Sequence, residues 1–127
     1  MSMKIRVYYE DTDAAGIVYY ANYLKFCERA RSELFFKKGF SPQSEEGYFV
    51  VKRLEAEYIK PAKLGDLLEV TTELVEKRGA SILLKQCVKR EGKTIFEMSV
   101  RLAFLKDAKA AKIPESIYSL ISEWKVS

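Results

Sequence analysis

From Phe49 onward the apolar residues stop recurring at every third or fourth position and begin to alternate, and the alternation runs on to Leu105. A period of two places successive side chains on opposite faces of a strand. The first stretch, Phe49 to Lys60, has Leu54, Ala56 and Tyr58 on one face, and Pro61 to Asp66 turns the chain. Leu67 to Lys77 follows with Leu68, Val70, Thr72 and Leu74 inward, then a turn at Arg78-Gly79. Ser81 to Arg90 puts Ile82, Leu84, Gln86 and Val88 on one face, and Glu91-Gly92-Lys93 turns again. Thr94 to Leu105 alternates most clearly, with Phe96, Met98, Val100, Leu102 and Phe104 together. Connections this short predict an antiparallel meander.

Ahead of the strands the pattern is helical. Tyr23, Phe26, Cys27, Ala30 and Leu34 form one stripe, which predicts a helix from about Asn22 to Lys38. Asn22 suits its N-cap and Gly39 its C′ position. Lys25, Glu28, Arg29 and Ser32 face away, and Glu28, Arg29, Arg31 and Glu33 have the spacing of surface ion pairs. A short strand is expected over Lys4 to Tyr9, and a last helix from Pro114 with Ile117, Leu120, Ile121 and Trp124 inward. One sheet face must be covered, and the apolar helix is the available cover. The expected class is α+β: a hotdog fold, an antiparallel sheet wrapped around a long central helix, in one domain over residues 1–127. Its long edge strands favour pairing with a second copy.

The chemistry concentrates between the first strand and the helix, in Y-Y-E-D-T-D-A-A-G-I-V-Y-Y-A-N-Y from Tyr8 to Tyr23. Three carboxylates (Glu10, Asp11, Asp13) and a flexible Gly16 precede a helix start. A carboxylate beside free helix-start N–H groups is the minimum equipment for hydrolysing an activated acyl group. The chain contains no histidine, so an imidazole base is excluded. Taken alone, Asp11 and Asp13 are as well suited to capping the loop, and the tyrosines Tyr19, Tyr20 and Tyr23 to packing.

D-T-D-A-A-G-I-V-Y-Y-A-N-Y-L-K-F, followed by E-R-A-R-S-E and later by E-A-E-Y-I-K-P-A, resembles the hotdog acyl-CoA thioesterases of the 4-hydroxybenzoyl-CoA thioesterase family, including its Tol–Pal-associated (YbgC-like) branch. The resemblance implies hydrolysis of an acyl-CoA thioester without metal or cofactor, in a homodimer or homotetramer. It assigns the catalytic carboxylate to Asp13 and a carbonyl-holding backbone N–H to Tyr20. Gly16, Val18, Tyr19, Asn22 and Tyr23 then surround the substrate. By charge, Lys60, Lys63, Arg53 and Lys77 are candidates for the coenzyme A phosphates. The Tol–Pal branch usually reads V-Y-H-A where this chain has Val18-Tyr19-Tyr20-Ala21, an aromatic that resembles the hydroxybenzoyl branch. Hotdog dehydratases generally use a histidine, which this chain lacks. A non-catalytic acyl-binding or assembly protein is the alternative.

Composition fits an ordinary globular chain, 48% hydrophobic and 31% charged. No apolar run is long enough to cross a bilayer and the first residues lack a secretory core, so a cytoplasmic protein is expected. The net charge of +4 is spread along the chain. It suits an anionic ligand such as coenzyme A, while no motif for nucleic acid accompanies it. Two cysteines, Cys27 and Cys87, are expected reduced and buried.

Overall fold

The computed structural model describes residues 1–125. The elements follow as β1 (Ser2–Arg6), a 3-10 turn (Tyr9–Asp11), α1 (Asn22–Phe36), β2 (Gln43–Ser44), β3 (Gly47–Tyr58), β4 (Leu67–Lys77), β5 (Ser81–Arg90), β6 (Lys93–Lys106), β7 (Lys109–Ala110) and α2 (Glu115–Ser122). The strands form one sheet in the order β1-β4-β5-β6-β3-β2, with β7 folded onto β6. Every named pair is antiparallel.

β4, β5 and β6 are the meander that the alternation predicts. β3 is not part of it: it pairs with β6, on the far side from β4. Residues 59–66 therefore cross from one side of the sheet to the other instead of making a hairpin. Pro61 explains part of this, because it offers no N–H to a ladder. The backbone of this connection is spent elsewhere, with Ile59 and Lys60 N–H groups both on Ile95 O (2.9 and 3.1 Å) and Ala62 O accepting from Val18 N–H at 2.9 Å.

The predicted inward residues of β4, β5 and β6 are all buried. So is the α1 stripe of Tyr23, Phe26, Cys27, Ala30 and Leu34. α1 spans 15 residues and packs on β1, β4 and β5. It ends two residues before the expected Lys38. Gly39 adopts φ +78°, Gly39 N–H returns to Phe36 O (3.0 Å) and Phe40 N–H to Phe35 O (2.9 Å), closing the helix as expected of a C′ glycine. Asn22 is not the cap: it is already helical, and Ala21 precedes it. α2 lays Ile117, Leu120 and Ile121 into the core, with buried Trp124 just beyond its end.

In β3, Leu54, Ala56 and Tyr58 share a face as the alternation predicts, but that face is not buried. The register shifts between Val51 and Arg53, so Val51 faces Leu102, and Leu54, Ala56 and Tyr58 face Val100, Met98 and Phe96. These side chains share the core face, yet Val51, Leu54 and Tyr58 are 48%, 37% and 47% exposed. The reason is geometric: α1 covers the β1–β4–β5 side of the sheet and leaves this end of β3 bare.

One polar side chain sits wholly inside. Gln86 donates from Nε2 to Cys27 O and to Thr72 Oγ1, both at 2.9 Å, while its Oε1 accepts from the Arg31 guanidinium at 3.1 Å. Arg31 is thus tied across to the sheet and makes no helix-surface ion pair, contrary to the expectation from spacing. Glu28, Arg29 and Glu33 make none either among the described residues. Burial pushes the Cys27 thiol up to about 12, which keeps it protonated. Cys87 is half-buried rather than buried.

Candidate active site

The acidic loop divides its labour between its two aspartates. Asp11 is buried; its Oδ2 accepts Tyr8 N–H at 2.8 Å, and its carbonyl accepts Tyr19 N–H and Asn22 Nδ2, both at 2.9 Å. It is the scaffold on which the loop is folded. From there the chain doubles back, with Thr12 bridging Val18. Asp13 N–H donates to Ile17 O at 2.9 Å and Gly16 N–H to Asp13 O at 3.0 Å. Gly16 closes that turn at φ +80°, a conformation that costs a glycine little. Asp13 Oδ1 accepts Ala15 N–H at 2.9 Å, and its other oxygen has no protein partner among the described residues. The side chain is exposed. Asp13 is therefore held at its base and open at its tip.

The loop delivers the chain to the start of α1. Tyr19 O accepts Asn22 N–H at 2.9 Å and Ala21 O accepts Leu24 N–H at 3.2 Å. Tyr20 O accepts the Tyr58 hydroxyl at 2.8 Å. The N–H groups of Tyr20 and Ala21 meet no acceptor among the described residues. Two successive unspent donors at a helix start favour negative charge.

Tyr20 also walls an apolar cavity of about 320 Å³. Ile17, Val18, Tyr20 and Tyr23 wall it from the loop and helix, and Tyr58, Ile59, Lys60 and Pro61 from the end of β3. Two larger clefts, of about 450 and 490 Å³, are lined mainly by charged and polar residues such as Glu57, Glu97, Lys85, Asp66 and Lys89. The cavity walls are locked from behind. Tyr23 stacks on Phe96 (centroids 5.0 Å apart) and its hydroxyl accepts Ala62 N–H at 3.0 Å. Burial raises the Tyr23 phenol above its usual value, so it stays neutral. Arg90 donates to Pro61 O (2.9 Å) and pairs with Asp66 (3.0 Å), which also accepts Lys63 N–H. Burial alone raises the Asp66 carboxyl, but the Lys63 N–H and Arg90 outweigh it and hold the group below its usual range.

Of the residues expected at the site, Val18, Tyr20, Tyr23 and Lys60 line one cavity, while Asp13 and Gly16 form the turn that precedes it. Asn22 is occupied in holding Asp11. Tyr19 lies outside the cavity with its ring 4.8 Å from that of Tyr20. The Tyr20 hydroxyl, and more weakly the Asp13 charge, raise the Tyr19 phenol. Ile17, Tyr58, Ile59 and Pro61 complete the wall without having been expected there. The last three lie in E-A-E-Y-I-K-P-A, a segment that stands out by its resemblance, but alternation alone cannot tell that the end of β3 meets the start of α1.

The chain belongs to the Thioesterase superfamily, whose profile matches residues 15–101. Within that family it is similar to the acyl-CoA thioesterase YbgC of Helicobacter pylori, 43% identical over 123 residues, with 94% of this chain and 91% of that protein covered. It is 39% identical to the acyl-CoA thioester hydrolase YbgC of Escherichia coli, over 95% of this chain and 92% of that one. Among solved structures, a thioesterase of Thermus thermophilus complexed with coenzyme A and Zn matches with TM-score 0.82 and 30% identity, covering 94% of this chain and 95% of that one. The sheet and helices described above are accordingly a hotdog-type thioesterase fold.

Proposed function

We infer that this chain hydrolyses the thioester bond of an acyl-CoA, releasing the free acid and coenzyme A. The observation that carries this reading is an apolar cavity walled in part by Tyr20, whose N–H, like that of the next residue Ala21, is unspent at the helix start. In this reading the thioester carbonyl points at the helix start, where the Tyr20 N–H, with the successive Ala21 N–H, holds the negative charge that develops on its oxygen. Asp13 acts on the carbonyl carbon, either directly as nucleophile or by taking a proton from the attacking water. The C–S bond then breaks, and the coenzyme A sulfur leaves as thiolate and takes up a proton. In the general-base route that is the proton Asp13 took from water; in the nucleophilic route water then hydrolyses the Asp13–acyl anhydride to release the acid and restore the carboxylate. Lys60, at the cavity rim, is the candidate cation for the coenzyme A phosphates. The reaction as written needs no metal or cofactor.

The test is release of free thiol from a panel of short, long and aromatic acyl-CoAs, read with a thiol reagent. Release from at least one supports the reading. Binding of acyl-CoA with no release from any would favour the alternative, an acyl-binding protein of the same fold.

The role given to Tyr20 is backbone, not phenol. Tyr20→Phe should leave kcat within roughly tenfold, well short of the 10²–10³ lost with an oxyanion donor. Tyr20→His, the residue usual in the Tol–Pal branch, should keep activity and shift acyl preference. A collapse of kcat in Tyr20→Phe would show the hydroxyl to be catalytic.

The same reading takes the chain as one hotdog domain over 1–127 with α1 as its central helix, cytoplasmic, and a homodimer as its minimal unit, with a homotetramer the next assembly. No described helix is long and apolar enough to cross a membrane. What favours the dimer is the bare face of β3, where Val51, Leu54 and Tyr58 stand exposed on the core side. A second copy laid against it would bury that surface. Light scattering at assay concentration should therefore report at least twice the mass of one chain. A fully active monomer would rule the assembly out.

A further inference from the structure

We propose that Tyr58 is a positioning residue for this reaction, its hydroxyl fixing the Tyr20–Ala21 peptide at the start of α1. The proposal rests on the thioesterase reading above and adds to it the device that aims the donors.

The local backbone leaves a gap that Tyr58 fills. Leu24 N–H turns to Ala21 O (3.2 Å) instead of reaching back to Tyr20 O, so the Tyr20 carbonyl has no helical partner. The Tyr58 hydroxyl takes that place at 2.8 Å, from 38 residues away in sequence. The neighbouring peptide needs no such help, because Tyr19 O already accepts Asn22 N–H. Both peptides whose N–H groups are unspent are thus pinned at their carbonyls, one by backbone and one by Tyr58. A carbonyl that accepts a hydrogen bond polarises its own amide, so Ala21 N–H becomes the stronger donor as well as the better fixed one.

The ring is held firmly enough to do this. Its centroid lies 4.9 Å from Phe96 at 65°, 5.6 Å from Tyr23 at 79° and 6.3 Å from Tyr20 at 76°, all edge-on. Burial raises the phenol above its usual value, which keeps the hydroxyl a donor through the neutral range. Tyr58 also lines the cavity, so a wall role and a positioning role have to be separated by experiment.

Tyr58→Phe keeps the ring and deletes the bond. With the best acyl-CoA, kcat should fall about tenfold, the scale of one well-placed hydrogen bond, while KM stays within about twofold because the wall is intact. In the same variant the Ala21 amide should move in a ¹⁵N–¹H spectrum more than amides remote from residue 58. A kcat within about twofold of the parent, or a raised KM at unchanged kcat, would overturn the positioning role. So would an Ala21 amide that does not shift. The spectrum is independent of turnover: a parent protein that releases no thiol from any acyl-CoA sinks the thioesterase reading, and the Ala21 signal still decides whether Tyr58 holds the peptide.

Discussion

Asp13→Asn is expected to lower kcat for acyl-CoA hydrolysis by about 10²-fold or more, the scale on which a lost general base is felt. The change is nearly isosteric, and the carboxamide oxygen it introduces can still accept the Ala15 N–H that Asp13 accepts at 2.9 Å. The turn closed by Gly16 N–H and Ile17 O uses backbone atoms only and is untouched. Stability should therefore hold while activity goes. Asp11→Asn is the informative companion. Asp11 is buried and spent on Tyr8 N–H, and its replacement should weaken the loop more than the chemical step. Steady-state kinetics and thermal melts on both variants make the comparison. If Asp13→Asn keeps near-normal kcat while Asp11→Asn loses it, the assignment of the carboxylate is wrong.

Gly47→Ala should destabilise the fold by roughly 3 kcal/mol, the size expected when backbone strain and a hard clash coincide. Gly47 opens β3 at φ +143°, where a side chain is strained whatever the room. There is no room: an added Cβ would lie 2.5 Å from Leu105 O and 2.6 Å from Phe104 Cζ. Leu105 is fixed between β3 and β7, and the Phe104 ring is almost wholly buried against Phe49 at 5.0 Å. Neither neighbour can yield cheaply. For a chain of this size that cost lowers Tm by roughly 10 °C, which calorimetry or a circular dichroism melt reads directly. An unchanged Tm would mean that β3 can enter the sheet by another path.

The contrast between Gly47 and Phe96 shows what kind of information the sequence carries. Alternation alone places Phe96, because strand parity is local and a buried face imposes it on every second residue. The same local rule finds β4, β5 and β6, and the equally local helical period finds the α1 stripe. Gly47 reads as one more loop residue, since the close approach of β6 that demands a glycine comes from a strand far along the chain. β3 escapes the rule for two such non-local reasons. A bulge at Lys52 reverses its parity, and α1 leaves half of its core face bare. The site divides in the same way. Of the candidate site, Asp13, Gly16, Val18, Tyr20 and Tyr23 sit within one short stretch and read as a motif, while Lys60 is expected only on its charge. The other half of the wall, Tyr58 to Pro61, reaches the helix start only because residues 59–66 cross the sheet. Asn22 misleads because a cap and a first helical residue look alike in sequence; its amide serves Asp11 O instead.

Gln86 bears on how the molecule keeps its aim. An all-apolar seam between α1 and the sheet would be forgiving: Leu, Val and Phe surfaces can slide past one another at little loss of contact. Gln86 removes that freedom, because its three bonds reach Cys27 O and Arg31 on the helix and Thr72 on the sheet at fixed spacings. A slip of α1 by one residue, about 1.5 Å along its axis, would strand a buried amide in a dry interior. The grease chooses which side of α1 faces inward, and the amide chooses the notch. Since the Tyr20 and Ala21 N–H groups lie at the front of that helix, a detent set in the middle of the core fixes where the donors of the proposed site point.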